Sequence, residues 1–237
     1  MENVRNPRMQ QRTAALSAGT SMIIMALAAF FSFGYAHGTL VDLENADATL
    51  NRLLSSSTLF KAEILGWLII LICDIIVAWA FYVFLKPYHR HLSLLAAWFR
   101  LIYAAILGVA ILNLLMVLIL TGQAHGESLI EAPHQQEQVM LYLAAFESTW
   151  SFGLIIFGGH LLVTGLAAYK AEPIPRWISL LLLIAAFGYL FTHLSSFLYA
   201  EENKVLEILH TILTVPMTVG ELGFGLWLLI RGGKSSS

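Results

Sequence analysis

The sequence predicts an all-α fold, a polytopic bundle of six transmembrane helices with both termini in the cytoplasm. Three observations predict it. Six long apolar runs hold most of the 237 residues. Charged residues make up only 12% of the chain, against about 25% in a typical soluble domain. Lys and Arg collect in alternate connecting segments, as the positive-inside rule expects.

The runs are 14–35, 59–85, 94–120, 139–169, 177–199 and 206–230. Each reaches the ~20 mostly apolar residues that a spanning helix needs. They form one membrane domain, 14–230, between a cytoplasmic N-terminal segment, 1–13, and a cytoplasmic tail, 231–237. Mean hydropathy is +0.75. The first run follows Arg5, Arg8 and Arg12 but is 22 residues long. A secretory h-region has about 7–15, so this run reads as a retained first helix. A net charge of −2 and a pI near 6.4 point to no nucleic-acid partner. Cys73 is the single cysteine, which excludes an intramolecular disulfide and a Cys-based metal cluster.

On one side stand Arg5, Arg8, Arg12, Lys86, Arg90, Lys170, Arg176, Arg231 and Lys234. On the other stand only Arg52 and Lys204, beside acidic residues such as Asp42, Glu44, Asp47, Glu127 and Glu201. This asymmetry places both termini inside. Loop one is expected over 37–58, beginning at His37. Pro87 stops the second run, and Pro173 and Pro175 break the chain before the fifth. Pro216 lies within the sixth run and frees one carbonyl, so a kink is expected there.

The fourth run has two polar or small faces at ~100° per residue. Glu147, Ser151, Gly158 and Gly165 share one; Thr149, Gly153, His160 and Thr164 share the other. A helix bordered by lipid on one side needs only one such face, so this run is expected at the centre of the bundle.

Ionisable groups in hydrocarbon are costly and mark candidate sites. Counting from the helix ends gives two tiers. The inner tier is Asp74, Arg100, Glu221 and His160; the outer tier is Glu63, Glu147, His193 and His210. Glu63 to Asp74 and His210 to Glu221 are both eleven residues, close to three turns, so each pair shares a face about 16 Å apart in depth. The plain reading of the inner tier is an ion pair that fixes helix register. Two carboxylates facing one guanidinium also admit a shared proton, a charged His160 or a bound cation. In the outer tier, two His and two carboxylates suit zinc, although no pair has a tight i, i+4 spacing. The cofactor stays unknown, with zinc as a candidate.

The blocks LFKAEILGWLIILICDIIVAWAFYVFLKP, WFRLIYAAILGVAILNLL, FESTWSFGLIIFGGHLLVTGLAAYKAEPIPRWISLLLLIAAFGYL and VPMTVGELGFGLWLLIRG resemble, in order and spacing, the bacterial domain-of-unknown-function 4386 family. The resemblance covers roughly Leu16 to Gly233. It implies a multi-pass protein of the bacterial inner membrane and no particular activity. Three functions stay open. The favoured one is a small transporter, channel or ligand-sensing bundle using intramembrane acid–base residues. The others are a metal-dependent membrane hydrolase near the outer leaflet and a non-catalytic subunit or assembly factor. Against an enzyme, there is no HExxH and no Gly-x-Ser-x-Gly motif. The partners expected are the lipid bilayer and a small molecule or ion. An oligomer stays open.

Overall fold

In lipid a chain must satisfy its backbone hydrogen bonds internally, so long apolar runs become helices. A computed structural model describes residues 7–122, 132–198 and 204–234. We label the helices α1 (Pro7–Ala29), α2 (Ala46–Ser55), α3 (Ser57–Leu85), α4 (Arg90–Leu120), α5 (Ala132–Tyr169), α6 (Arg176–Leu198) and α7 (Lys204–Ile230). Helix α1 continues through a π-helical segment, Phe30–His37, and a last turn, Gly38–Leu40. Six helices are long and apolar enough to cross a membrane: Met9–Leu40, Ser57–Leu85, Arg90–Leu120, His134–Tyr169, Arg176–Leu198 and Lys204–Ile230. The protein is therefore a multi-pass membrane protein. The described residues contain helices and no strands.

Two expectations about the first loop are corrected. His37 belongs to the helical π segment and is buried, not the start of an exposed loop. Loop one also contains α2, whose N-cap Asn45 accepts a hydrogen bond from the Ala48 amide at 3.0 Å. Such a cap satisfies an otherwise orphaned N–H of the first turn. Helix α2 is too short to span, and it buries Thr49 and Leu53. Helix α7 runs unbroken through Pro216. The fourth span is the most buried of the six, at 61% of its apolar window, against 28–50% for the others. That is what two polar faces on one helix require.

The residues fall into two compact units. The first comprises Met1–Ile24, Cys73–Ala104 and Phe152–Ser237. Small residues set its helix contacts. A Cβ on Gly158 would lie 2.9 Å from Leu190 Cγ, and one on Gly165 would lie 2.9 Å from Leu183 Cδ2. Moving down α5 by seven residues moves up α6 by seven, so the two helices pair antiparallel. The other face of α5 turns His160 and Thr164 inward, both fully buried. Helices α1 and α7 also approach closely, since a Cβ on Gly19 would meet the Gly225 carbonyl oxygen at 2.7 Å. Arg12 closes this pairing. Its Nη1 donates to the carbonyls of Leu228 at 3.2 Å and Gly232 at 2.7 Å, and its Nη2 to that of Leu229 at 2.8 Å. The last carbonyls of a helix lack intrahelical partners and carry partial negative charge, so a guanidinium there both bonds and neutralises. Gly233 follows with φ +70°, and a Cβ there would lie 2.7 Å from the Arg12 backbone nitrogen. Arg12→Ala is expected to destabilise the protein by about 1 kcal/mol; thermal unfolding in detergent checks it, with Arg12→Lys retaining part of the effect.

The second unit comprises Met25–Ile72 and Ala105–Ser151. Its core includes Leu53, Phe60, Trp67, Leu114, Leu143 and Phe146. Gly66 backs directly on Ser32 of the π segment, whose hydroxyl donates to the Glu63 carbonyl at 3.1 Å. A π turn carries one extra residue and rotates the next side chains about the helix axis. In this way the segment delivers His37 to the interior rather than to the helix end.

Candidate functional site

Each unit holds one polar cluster within its apolar helices. In the first unit, Arg100 Nη2 on α4 meets Asp74 Oδ1 on α3 at 2.7 Å. Its Nη1 donates to His160 Nε2 on α5 at 3.0 Å. His160 Nδ1 donates to the Ala96 carbonyl at 2.8 Å. That bond places the ring proton on Nδ1 and leaves Nε2 as the acceptor Arg100 needs, so His160 is neutral. All three side chains are buried. The guanidinium also lies 5.7 Å from the Phe81 ring centroid and 5.2 Å from that of Phe157, within cation–π range. With Asp74 ionised, one negative and one positive charge meet and the cluster balances. Oδ2 of Asp74 is buried without a hydrogen-bond partner among the described residues.

Glu221, grouped by depth with these residues, has a different principal partner. Tyr189 on α6 donates its hydroxyl proton to Glu221 Oε1 at 2.5 Å. Tyr189 escapes a reading of the sequence, because a lone Tyr in an apolar helix reads as an interfacial residue. Only its position seven residues from Leu182, on the buried side of α6, signals otherwise. His193 stacks on Tyr189, with centroids 6.1 Å apart. His210 Nε2 lies 2.9 Å from Ser195 Oγ.

The second unit's cluster centres on His37, a residue expected at the start of a loop. His37 Nδ1 lies 2.7 Å from Glu63 Oε1 of α3, and its Nε2 lies 3.0 Å from Glu147 Oε1 of α5. Trp67 Nε1 donates to the same Glu63 oxygen at 3.4 Å. The imidazole stacks on Phe33 at 5.8 Å and packs against Phe146 at 5.5 Å. Glu63 is fully buried and His37 nearly so, whereas the Glu147 side chain is 37% exposed. Each of the two N···O contacts needs one proton. Two protons over one imidazole and two carboxylates leave a net charge of −1, so this cluster does not balance by itself. Oε2 of Glu63 is buried without a hydrogen-bond partner among the described residues.

The four outer candidates therefore sort differently from their depths. Glu63 and Glu147 belong to the second unit and meet through His37; His193 and His210 belong to the first. Among the described residues, no group of three or more His, Cys, Asp or Glu side chains is arranged to hold a metal ion. The zinc set drawn from Glu63, Glu147, His193 and His210 therefore has no support among the described residues.

No solved structure matches the chain. It is similar to an uncharacterized protein of the archaeon Archaeoglobus fulgidus, 32% identical over 175 residues, which is 73% of this chain and 86% of the relative. A family model, described as a domain of unknown function (DUF4386), matches residues 17–232. That match takes in both polar clusters and all or most of every span, and the chain belongs to the DUF4386 family.

Proposed function

We propose that this chain is a small transporter, channel or ligand-sensing bundle of the prokaryotic cell membrane, the inner membrane in bacteria. It works through acid–base side chains held inside its spans, with both termini in the cytoplasm. One observation carries the reading: Glu147, partly exposed, reaches through His37 to the fully buried Glu63. A purely structural ion pair needs no link to the surface and no residual charge. Ionisable groups of that kind inside spans mark ion or substrate paths. The Asp74–Arg100–His160 cluster favours a second reading, a non-catalytic subunit, because its charges cancel and it ties α3, α4 and α5 together.

Purified protein in liposomes under an imposed pH gradient, with an internal pH dye, tests the first reading. Wild type should dissipate the gradient faster than empty liposomes, and Glu147→Gln should fall to the empty-liposome rate. Wild type that matches empty liposomes favours the subunit.

The orientation is testable separately, because Cys73 is buried. Cysteines introduced at the exposed positions Asp47 and Glu172 should differ, the first labelled by an impermeant reagent from outside and the second not. The reverse pattern overturns the cytoplasmic termini. Ser93 makes a poor reporter, since it is helical and fully buried.

A further inference from the structure

We propose that Glu147, His37 and Glu63 form a proton-binding relay, entered at Glu147 and ending at Glu63. This rests on the acid–base reading above and names its ligand as the proton. Three features of the second unit carry it. First, the imidazole presents both nitrogens to carboxylate oxygens, at 2.7 and 3.0 Å. A ring so placed can pass a proton across itself by exchanging tautomers. Second, exposure falls along the chain of groups, from Glu147 at 37% to Glu63 at 0%. Third, Oε2 of Glu63 is a buried acceptor with no donor among the described residues. Buried polar atoms in native proteins nearly always have partners, and an exception is a mark of a group with a chemical role. A proton delivered through His37 lands on Oε1, and by neutralising the carboxylate it removes the charge that leaves Oε2 in need of a donor.

The step balances. Initially Glu147 carries a proton that it donates to His37 Nε2, and Nδ1–H donates to the Glu63 carboxylate. The Glu147 O–H bond breaks as the Nε2–H bond forms, and the Nδ1–H bond breaks as an O–H bond forms on Glu63. Glu147 becomes the carboxylate, Glu63 the acid, and His37 is neutral at both ends of the step. One proton has moved inward. The titratable groups facing His37 are Glu63 from α3 and Glu147 from α5; Phe33 and Phe146 cover the ring, and Trp67 holds the Glu63 oxygen in place.

The test is infrared difference spectroscopy on the full chain in lipid nanodiscs between alkaline and acid pH, with the proton as the only ligand. A protonated-carboxyl band should appear on acidification, disappear in Glu63→Gln and persist in Glu221→Gln, whose carboxylate lies in the other unit. His37→Gln should abolish the band assigned to Glu63 or delay its appearance. Nitrogen NMR of the His37 ring gives a second readout, in which the ring should exchange its protonated nitrogen across the same pH range. A band unchanged in Glu63→Gln, or a His37 ring that keeps one tautomer throughout, overturns the relay. Liposome flux separates the two proposals. A Glu63-dependent band without flux leaves the relay standing and removes transport. Flux that survives both Glu63→Gln and His37→Gln removes the relay and leaves transport standing.

Discussion

Replacing Arg100 by Met is expected to lower stability by about 3–5 kcal/mol, because it leaves a buried carboxylate without its cation. Asp74 is fully buried, and its one ion-pair partner among the described residues is Arg100, at 2.7 Å. Methionine fills the space of the aliphatic stem, so the loss reports charge rather than volume. The paired change Asp74→Leu with Arg100→Met should cost markedly less, since both charges leave together. His160 then loses a donor at Nε2 but keeps its bond to the Ala96 carbonyl. Thermal unfolding in detergent compares the two. If Arg100→Met is as stable as wild type, the pair contributes nothing and the cluster is not what joins these helices. Glu221 is left out of the paired change, because Tyr189 holds it.

The second large effect is expected at Gly220. A Cβ there would sit 2.8 Å from the Leu181 carbonyl oxygen and 3.0 Å from Ala185 Cβ. Both obstacles belong to the body of α6, so no side-chain rotation relieves the clash. Gly220→Val must push α7 away from α6, at a cost on the order of 3 kcal/mol. Gly223, one turn on, supplies the control, since nothing lies within 4 Å of its Cβ position. Gly223→Ala removes a poor helix former without a clash and should gain up to ~1 kcal/mol. Opposite signs in two glycines of the same helix are the result to look for by thermal unfolding. Equal effects would mean that α6 and α7 do not pack as described.

The spans were legible because hydropathy over twenty residues depends on the bilayer rather than on neighbours. All six runs became helices, each within a few residues of its expected ends except the first and fourth, which are longer. The Asp74–Arg100 contact was legible from depth, since a buried guanidinium at that level must find a carboxylate. Glu221 shared that depth, yet Tyr189 met it first. Depth is a one-dimensional coordinate, and rotation about each helix axis decides the rest. His37 was missed for a different reason. An ideal α-helix ends near Tyr35 by composition, and nothing in FFSFGYAH announces a π turn. Without that turn, the residue joining Glu63 to Glu147 reads as the first polar residue of a loop.

The Asp74–Arg100–His160 arrangement also bears on how the chain enters the bilayer during synthesis. Asp74 emerges from the ribosome first, on α3, and Arg100 follows on α4, with only the Leu85–Arg90 turn between the two helices. Either charge alone near the middle of a span costs at least ~2.5–3.5 kcal/mol at the insertion machinery. Partitioned together, as a hairpin with the pair already formed, the two helices present a neutral polar spot instead of two opposed charges. Helix α5 follows with His160, whose Nε2 accepts from the guanidinium's other amino group. Each later group thus meets a partner already made: Arg100 meets Asp74, and His160 meets Arg100.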